Sequence, residues 1–292
     1  MNITVIGCGR WGSLITWYLD HIGHRVTLYG RAASPRMQAF LTTRQNDLLT
    51  LPESVALSTA LDAALESAET VIISIGSQSL RSLLGQSELQ ALRSRTVVLC
   101  MKGLEMGTGA RLSQIAAELL HPSNTVAVWL GPGHVQEFYR GIPNCMVIDS
   151  ENEDVKRRLV QAFSSDLIRF YYGGDMIGNE VGAAAKNVVG IAAGFLDGFE
   201  MSSLKGALMS RGTREVARLI KAMGGSELSA YGLCHLGDYE ATVFSPYSHN
   251  RQFGESFIRH QDYHRLAEGY YTVEALLSLI HISEPTRPEP IS

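Results

Sequence analysis

Metal-ligand and disulfide patterns are missing from this chain of 292 residues. Its four cysteines, Cys8, Cys100, Cys145 and Cys234, are scattered with no CxxC pair. That excludes a disulfide scaffold and a zinc ribbon, and it fits a reduced, cytoplasmic protein. No apolar run approaches the roughly 18 residues of a membrane span. The start, MNITVIGCG, has no basic n-region and enters a strand at once, so neither a signal peptide nor membrane insertion is expected. Positive charge is in short supply: 25 Lys and Arg stand against 29 Asp and Glu, a net charge of −4. No nucleic-acid partner is expected, and an anionic substrate must be met by a local cationic cluster. His260 and His264 have i, i+4 spacing, but the Glu of a zinc-protease helix and a third ligand are both lacking, so no metal is expected. What remains is an ordinary globular composition, 45% hydrophobic and 18% charged, enough for one large or two medium domains.

The N-terminal part alternates strand and helix. Residues 2–6 read as a buried strand, followed by Gly7-Cys8-Gly9-Arg10-Trp11-Gly12, a helical pattern to about Ile22, and a strand over 25–29. In this βαβ setting GxGxxG has a mechanism. Gly7 allows the tight turn, Gly9 lets the backbone approach a pyrophosphate, and Gly12 packs helix on strand, with the helix N-terminus toward the phosphates. An Asp or Glu after the second strand would favour NAD; here Arg31 stands there with Arg36 nearby. An arginine suits a 2′-phosphate or stacks on adenine, so the reading leans to NADP or mixed use. Further strands are expected at 70–75, 96–101, 125–130 and 145–149. Lys102, and the turn Gly131-Pro132-Gly133-His134, fall at strand ends, where open α/β sheets bind ligands.

After about Tyr172 the chain becomes helical. The run from Gly178 to Gly198 carries one lysine, Lys186, among Gly, Ala, Val and Ile. A lysine is rarely buried without a partner or a function. Helical stepping puts Gly182, Gly190, Ala193 and Asp197 on its stripe, which would clear space around its head group. The competing reading is a lysine snorkelling out of a buried helix. A second helix is expected over roughly 203–223.

Eight pieces then stand in order: GCGRWG at 7–12, MKGLE at 101–105, LGPGH at 130–134, GNEVGAAAKNVVGIAAGFLDG at 178–198, SRGTREVARL at 210–219, LGDYEAT at 236–242, SHNRQFG at 248–254 and AEGYYT at 267–272. With these the chain resembles the soluble, bacterial-type NAD(P)-dependent glycerol-3-phosphate dehydrogenases, from residue 1 to about 276. The resemblance implies an α/β Rossmann-like domain over 1–172 and an all-α domain of the 6-phosphogluconate-dehydrogenase type over 173–276, with the active site between them. It implies Lys186 as general acid/base, Lys102 at the substrate near the nicotinamide, and Asp238 and Asn187 holding the lysine and the substrate hydroxyls. Thr242, Ser248, His249 and Asn250 would surround the substrate phosphate. Gly7, Gly9, Arg10, Trp11, Gly12, Arg31, Lys102, Gly131, Gly133, Val135, His249 and Glu268 would line NAD or NADP. A homodimer is implied as well. The physics agrees, since hydride transfer needs a dry pocket and a proton donor beside the carbonyl.

Departures gather in the second half. The family has Ser-Arg-Asn where this chain has Ser248-His249-Asn250, and a histidine cannot copy the arginine fork. Arg251 is the nearest substitute. Cys234-His235 replaces two small residues, and the family's G-x-N element is not recognisable in 200–205. Two alternatives therefore stay open: a related dehydrogenase acting on another small phosphorylated or carboxylated hydroxy compound, and a non-catalytic dinucleotide sensor. The last stretch, SLIHISEPTRPEPIS, resembles a translated sequencing adapter. Residues 277–292 are expected to be a non-native tail, with the helical pattern ending at Leu276 and part of the helical domain missing.

Overall fold

In the computed structural model, residues 1–283 are described, with side chains through Leu279. The apolar runs form one eight-stranded sheet of order β3-β2-β1-β4-β5-β6-β7-β8. Its strands are β1 (Asn2–Ile6), β2 (Arg25–Tyr29), β3 (Ala56–Ser58), β4 (Thr70–Ile73), β5 (Thr96–Leu99), β6 (Thr125–Leu130), β7 (Asn144–Asp149) and β8 (Ile168–Tyr172). All neighbours run parallel except β6 and β7. Two strands were not anticipated. β3 has three residues, paired only with β2. β8 is an edge strand whose Tyr171 and Tyr172 are exposed, so neither presents the continuous apolar run of a central strand.

Eight helices accompany the sheet: α1 (Arg10–His21), α2 (Pro35–Thr43), α3 (Leu61–Leu65), α4 (Leu80–Leu84), α5 (Ser87–Gln90), α6 (Leu112–Leu119), α7 (Val135–Tyr139) and α8 (Glu153–Phe163). They cover both faces. Ile72, Val98 and Trp129 point into one layer with Leu14, Tyr18 and Phe163. Val71, Ile73, Val97, Leu99, Val128 and Leu130 point into the other with Leu84 and Ile115. This is the period-2 alternation of strands buried on both sides.

The helical part consists of α9 (Met176–Gly198), α10 (Lys205–Ala222), α11 (His249–Ile258) and α12 (Glu268–Ser283). Asp175 caps α9 by accepting from the Gly178 N–H at 3.0 Å. Three polar ties seat the start of the helix on the α/β part: the Asp175 N–H donates to Asp149 of β7 at 3.1 Å, Asn179 donates to the same carboxylate at 2.8 Å, and Glu180 pairs with Arg111, which precedes α6, at 2.6 Å. α12 does not stop at Leu276, as the sequence had suggested. It continues to Ser283, and Leu279 lies against Gly109. Residues 284–292, the remainder of the expected tail, lie outside the described residues. No described helix is long and apolar enough to cross a membrane. His260 and His264 have no helix beneath their i, i+4 spacing: they sit in an exposed irregular segment with His260 at φ +53°.

Candidate active site

The three loop glycines meet different surroundings. Gly7 has φ +116°, and a Cβ there would lie 2.1 Å from the Ser74 carbonyl oxygen. A Cβ on Gly12 would lie 1.9 Å from the Gly7 carbonyl oxygen, so only glycine lets α1 rest on the turn. A Cβ on Gly9 would meet only the Arg36 guanidinium, at 3.7 Å, and otherwise open space. α1 begins there with no side-chain cap and no acid in its first turn. Its free N–H groups and dipole are thus available to phosphates. Trp11 packs toward Phe138 with ring centroids 6.0 Å apart. Arg31 and Arg36 are both exposed.

Lys102 follows β5 and Lys186 sits in mid-α9, and both reach one carboxylate oxygen. Asp238 Oδ2 lies 2.6 Å from Lys102 Nζ and 2.7 Å from Lys186 Nζ. Lys102 also donates to the Gly131 carbonyl at 2.6 Å, in a turn where Gly131 takes φ +130°. Lys186 also donates to Thr242 Oγ1 at 2.7 Å. Thr242 lies in a single π turn, Glu240–Phe244, a distortion frequent at functional sites. Lys186 is only 6% exposed, so it does not snorkel. Burial, with the Lys102 ammonium beside it, pushes Lys186 down to about 8 against the opposing pull of Asp238. Asp238 Oδ1 is buried without a hydrogen-bond partner among the described residues.

The stripe of small residues around Lys186 serves mainly to let other elements dock. Gly182 faces His235, Gly190 faces Thr242 and Asn250, and Gly194 meets the backbone of α11 at Arg251 and Gly254. The cleared space is therefore largely filled by the elements that carry the partner residues. Asn187 does not contact the lysine beside it. It donates to the Lys102 carbonyl at 3.2 Å and accepts from Asn250 at 3.0 Å. Asn250 in turn accepts from the Gly269 N–H at 2.9 Å. Ser248 is spent as the N-cap of α11, accepting from the Arg251 N–H at 3.3 Å. Arg251 is tied to Asp197, so it does not replace the family's arginine. His249 accepts from Arg10 Nη1 at 3.0 Å.

Glu268 accepts from the Ser77 hydroxyl at 2.6 Å and the Ser77 N–H at 3.3 Å, and burial raises its carboxyl above the usual range. Val135 is buried at the start of α7. A Cβ on Gly133 would collide with the Phe138 ring. Cys234-His235 repacks a loop: both residues are fully buried. His235 donates from Nδ1 to the Gly182 carbonyl at 2.9 Å and accepts from Tyr239 at 2.7 Å. Burial pushes it down to about 4, so it is a neutral brace behind α9. Two residues were missed in the sequence. Ser77 follows β4 at a strand end, a position the sheet rule flags. His134, whose buried Nε2 has no partner among the described residues, belonged to a recognised motif but had no separate signal.

The comparisons with known proteins agree in both halves. Residues 2–156 match the family described as NAD-dependent glycerol-3-phosphate dehydrogenase N-terminus, and residues 175–288 match its C-terminus. The chain is 35% identical over 289 residues to a glycerol-3-phosphate dehydrogenase (NAD(P)+) of Nitrosomonas eutropha, covering 97% of this chain and 84% of that one. It is 34% identical over 258 residues to the enzyme of that name from Thermoanaerobacter, covering 87% and 77%. The solved glycerol-3-phosphate dehydrogenase of Coxiella burnetii superposes with a TM-score of 0.90 at 25% identity, covering 97% of this chain and 90% of that one.

Proposed function

The chain belongs to the NAD-dependent glycerol-3-phosphate dehydrogenase family, and from that premise we propose how its own side chains interconvert sn-glycerol 3-phosphate and dihydroxyacetone phosphate. The open space over Gly9 and the uncapped α1 fit a dinucleotide pyrophosphate. Gly7, Gly9, Trp11, Gly12 and Glu268 would hold the cofactor. Bound there, NAD(P) would supply the hydride acceptor for the alcohol carbon and, in its reduced form, the hydride donor for the carbonyl carbon.

The proton is the protein's task. Lys186 Nζ gives it to the substrate oxygen during reduction and takes it back during oxidation. Its depressed affinity, about 8, keeps both forms accessible near neutral pH. Lys102 supplies a second positive charge where the oxygen becomes negative. Asp238 holds both ammonium groups, and its orphan Oδ1 is suited to accept the free hydroxyl of the triose phosphate. The observation that carries this reading is the convergence of two lysines, one from the sheet and one from α9, on a single buried carboxylate oxygen.

Loss of NADPH or NADH absorbance on adding dihydroxyacetone phosphate, with cofactor binding measured in the same sample, tests the reading. Turnover sustains it. Cofactor binding without turnover of this substrate overturns it, in favour of another hydroxy compound or of a sensor. Arg36 over the glycine loop supports NADP use alongside NAD. A cytoplasmic setting accords with the free thiols of all four cysteines. The homodimer stands on family resemblance, and sedimentation at micromolar concentration decides it.

A further inference from the structure

Arg10 is the first residue of α1, inside the glycine loop, yet its guanidinium does not lie along that loop. It reaches across to the helical part and donates from Nη1 to His249 Nε2 at 3.0 Å. His249 Nδ1 is 3.2 Å from the Leu266 carbonyl oxygen. A carbonyl only accepts and a guanidinium only donates, so the ring is neutral with its proton on Nδ1. The other donors of Arg10 have no partner among the described residues.

The charges around Arg10 are of one sign. Burial, then Arg265, then Arg36 push its guanidinium below its ordinary value, and only Tyr263 pulls the other way. No ion pair of the described residues involves Arg10, Arg36 or Arg265. The Tyr263 hydroxyl, a neighbour in the same cluster, is buried without a hydrogen-bond partner among the described residues. A half-buried cation crowded by two others, with an orphan hydroxyl beside it and no carboxylate paired to it among the described residues, is repulsive until an anion enters.

The position says which anion. The N–H groups of the uncapped α1 are the ones proposed above for the cofactor's pyrophosphate, whereas Arg10 is turned toward His249 at the start of α11. There His249 precedes Asn250, which contacts Asn187, the residue after Lys186. We infer that Arg10, held in place by His249, is the cation that binds the phosphate of the substrate. The guanidinium absent from position 249 is thus supplied from position 10, and the cofactor loop contributes one side chain to the substrate site. Arg10 contacts the ligand directly; His249 is a positioning residue.

The identity of the substrate rests on the reaction proposed above, but the phosphate site is tested without turnover. Inorganic phosphate is titrated calorimetrically into the full chain saturated with NADPH, for wild type, Arg10→Ser, His249→Arg and the double variant Arg10→Ser/His249→Arg. Arg10→Ser is expected to weaken phosphate binding about 30-fold, the scale of lost charge-assisted contacts, with NADPH affinity changed less than about threefold. The double variant, which returns the guanidinium to the other side of the contact, is expected to recover most of the loss. That recovery separates a lost ligand contact from a damaged fold. Three results overturn the inference: no phosphate binding by wild type, unchanged binding by Arg10→Ser, or an equal loss of NADPH and phosphate affinity, which assigns Arg10 to the pyrophosphate. Failure of wild type to reduce dihydroxyacetone phosphate strikes the reaction instead, and Arg10 is still judged by the phosphate titration.

Discussion

Two carboxylates along α9 each hold two cations. At Asp197, near the end of the helix, Lys205 approaches to 2.7 Å, Arg251 pairs with the same group, and the Ser202 hydroxyl donates at 2.6 Å. Lys205 also donates to the Val243 carbonyl at 3.2 Å and lies over the Phe244 ring. At Asp238, opposite the middle of the helix, both lysines crowd one oxygen and the other oxygen has no partner among the described residues. The first cluster is satisfied and built wholly from the helical part. The second is unsatisfied and draws one lysine from the sheet. Burial works against a charged Asp197, but Lys205, Ser202 and Arg251 outweigh it and hold the carboxyl below its ordinary value. Burial prevails at Lys186, whose proton affinity falls to about 8. A buried lysine on a carboxylate is therefore not a reactive one by itself. A second cation stands beside each lysine, so what marks Lys186 is the unpartnered second oxygen of the carboxylate that holds it.

The largest test of that contrast is Lys186→Ala. It should lower kcat by about a thousandfold or more, within the range of a lost general acid/base, while the NADPH titration stays near wild type. Near-normal turnover would break the distinction between the clusters. Lys102→Met should lower kcat/KM by about a hundredfold and, more tellingly, shift the pH profile. Carbonyl reduction needs protonated Lys186, so its rate should fall as pH rises through about 8, and alcohol oxidation should show the mirror image. Lys102 lowers the proton affinity of Lys186, so its removal should move both limbs to higher pH. Asp238→Asn removes the opposing pull and should move them to lower pH. Limbs that stay put in both variants would show that another group titrates.

How much of this was legible follows the same division. Six strands of the sheet and the first turn were legible because their signals are local: a glycine turn between a buried strand and a helix, with apolar runs of strand length, which the three-residue β3 and the exposed edge strand β8 lack. Lys186 was legible because a charge in an apolar helix is conspicuous. Asp238 and Thr242 came only through family resemblance, since nothing within LGDYEAT says that its carboxylate meets two lysines from distant segments. The Arg10–His249 contact joins residues 239 positions apart, and no periodicity reports such a pair. His235 was conspicuous as a departure, but its place behind α9 depends on Gly182, a packing relation visible only in three dimensions. The continuation of α12 past Leu276 was hidden by the prolines that follow it.

Within the cofactor half, Arg36 offers a smaller effect. Its guanidinium stands at the open side of Gly9. Arg36→Ala should weaken NADPH by about tenfold, one charge-assisted contact to a 2′-phosphate, and leave NADH nearly unchanged. Equal losses for both cofactors would place Arg36 on the shared pyrophosphate instead.

The smallest expected change in rate belongs to Lys205→Met, and it bears most directly on the comparison. The substitution removes a buried ammonium, yet Arg251 and Ser202 remain to hold Asp197. The loss should be in stability, about 2 kcal/mol, below the 3–5 kcal/mol seen when a buried charge is left alone. Denaturant unfolding measures it, with an unchanged m-value marking a true stability effect. Turnover per folded molecule should stay within about twofold of wild type, because no contact in the Asp197 cluster reaches Lys102, Lys186 or Asp238. A large fall in kcat at full folding would mean that the two clusters communicate along α9, by shifting the π turn that carries Thr242 one residue before Val243. The satisfied carboxylate would then be setting the geometry of the unsatisfied one.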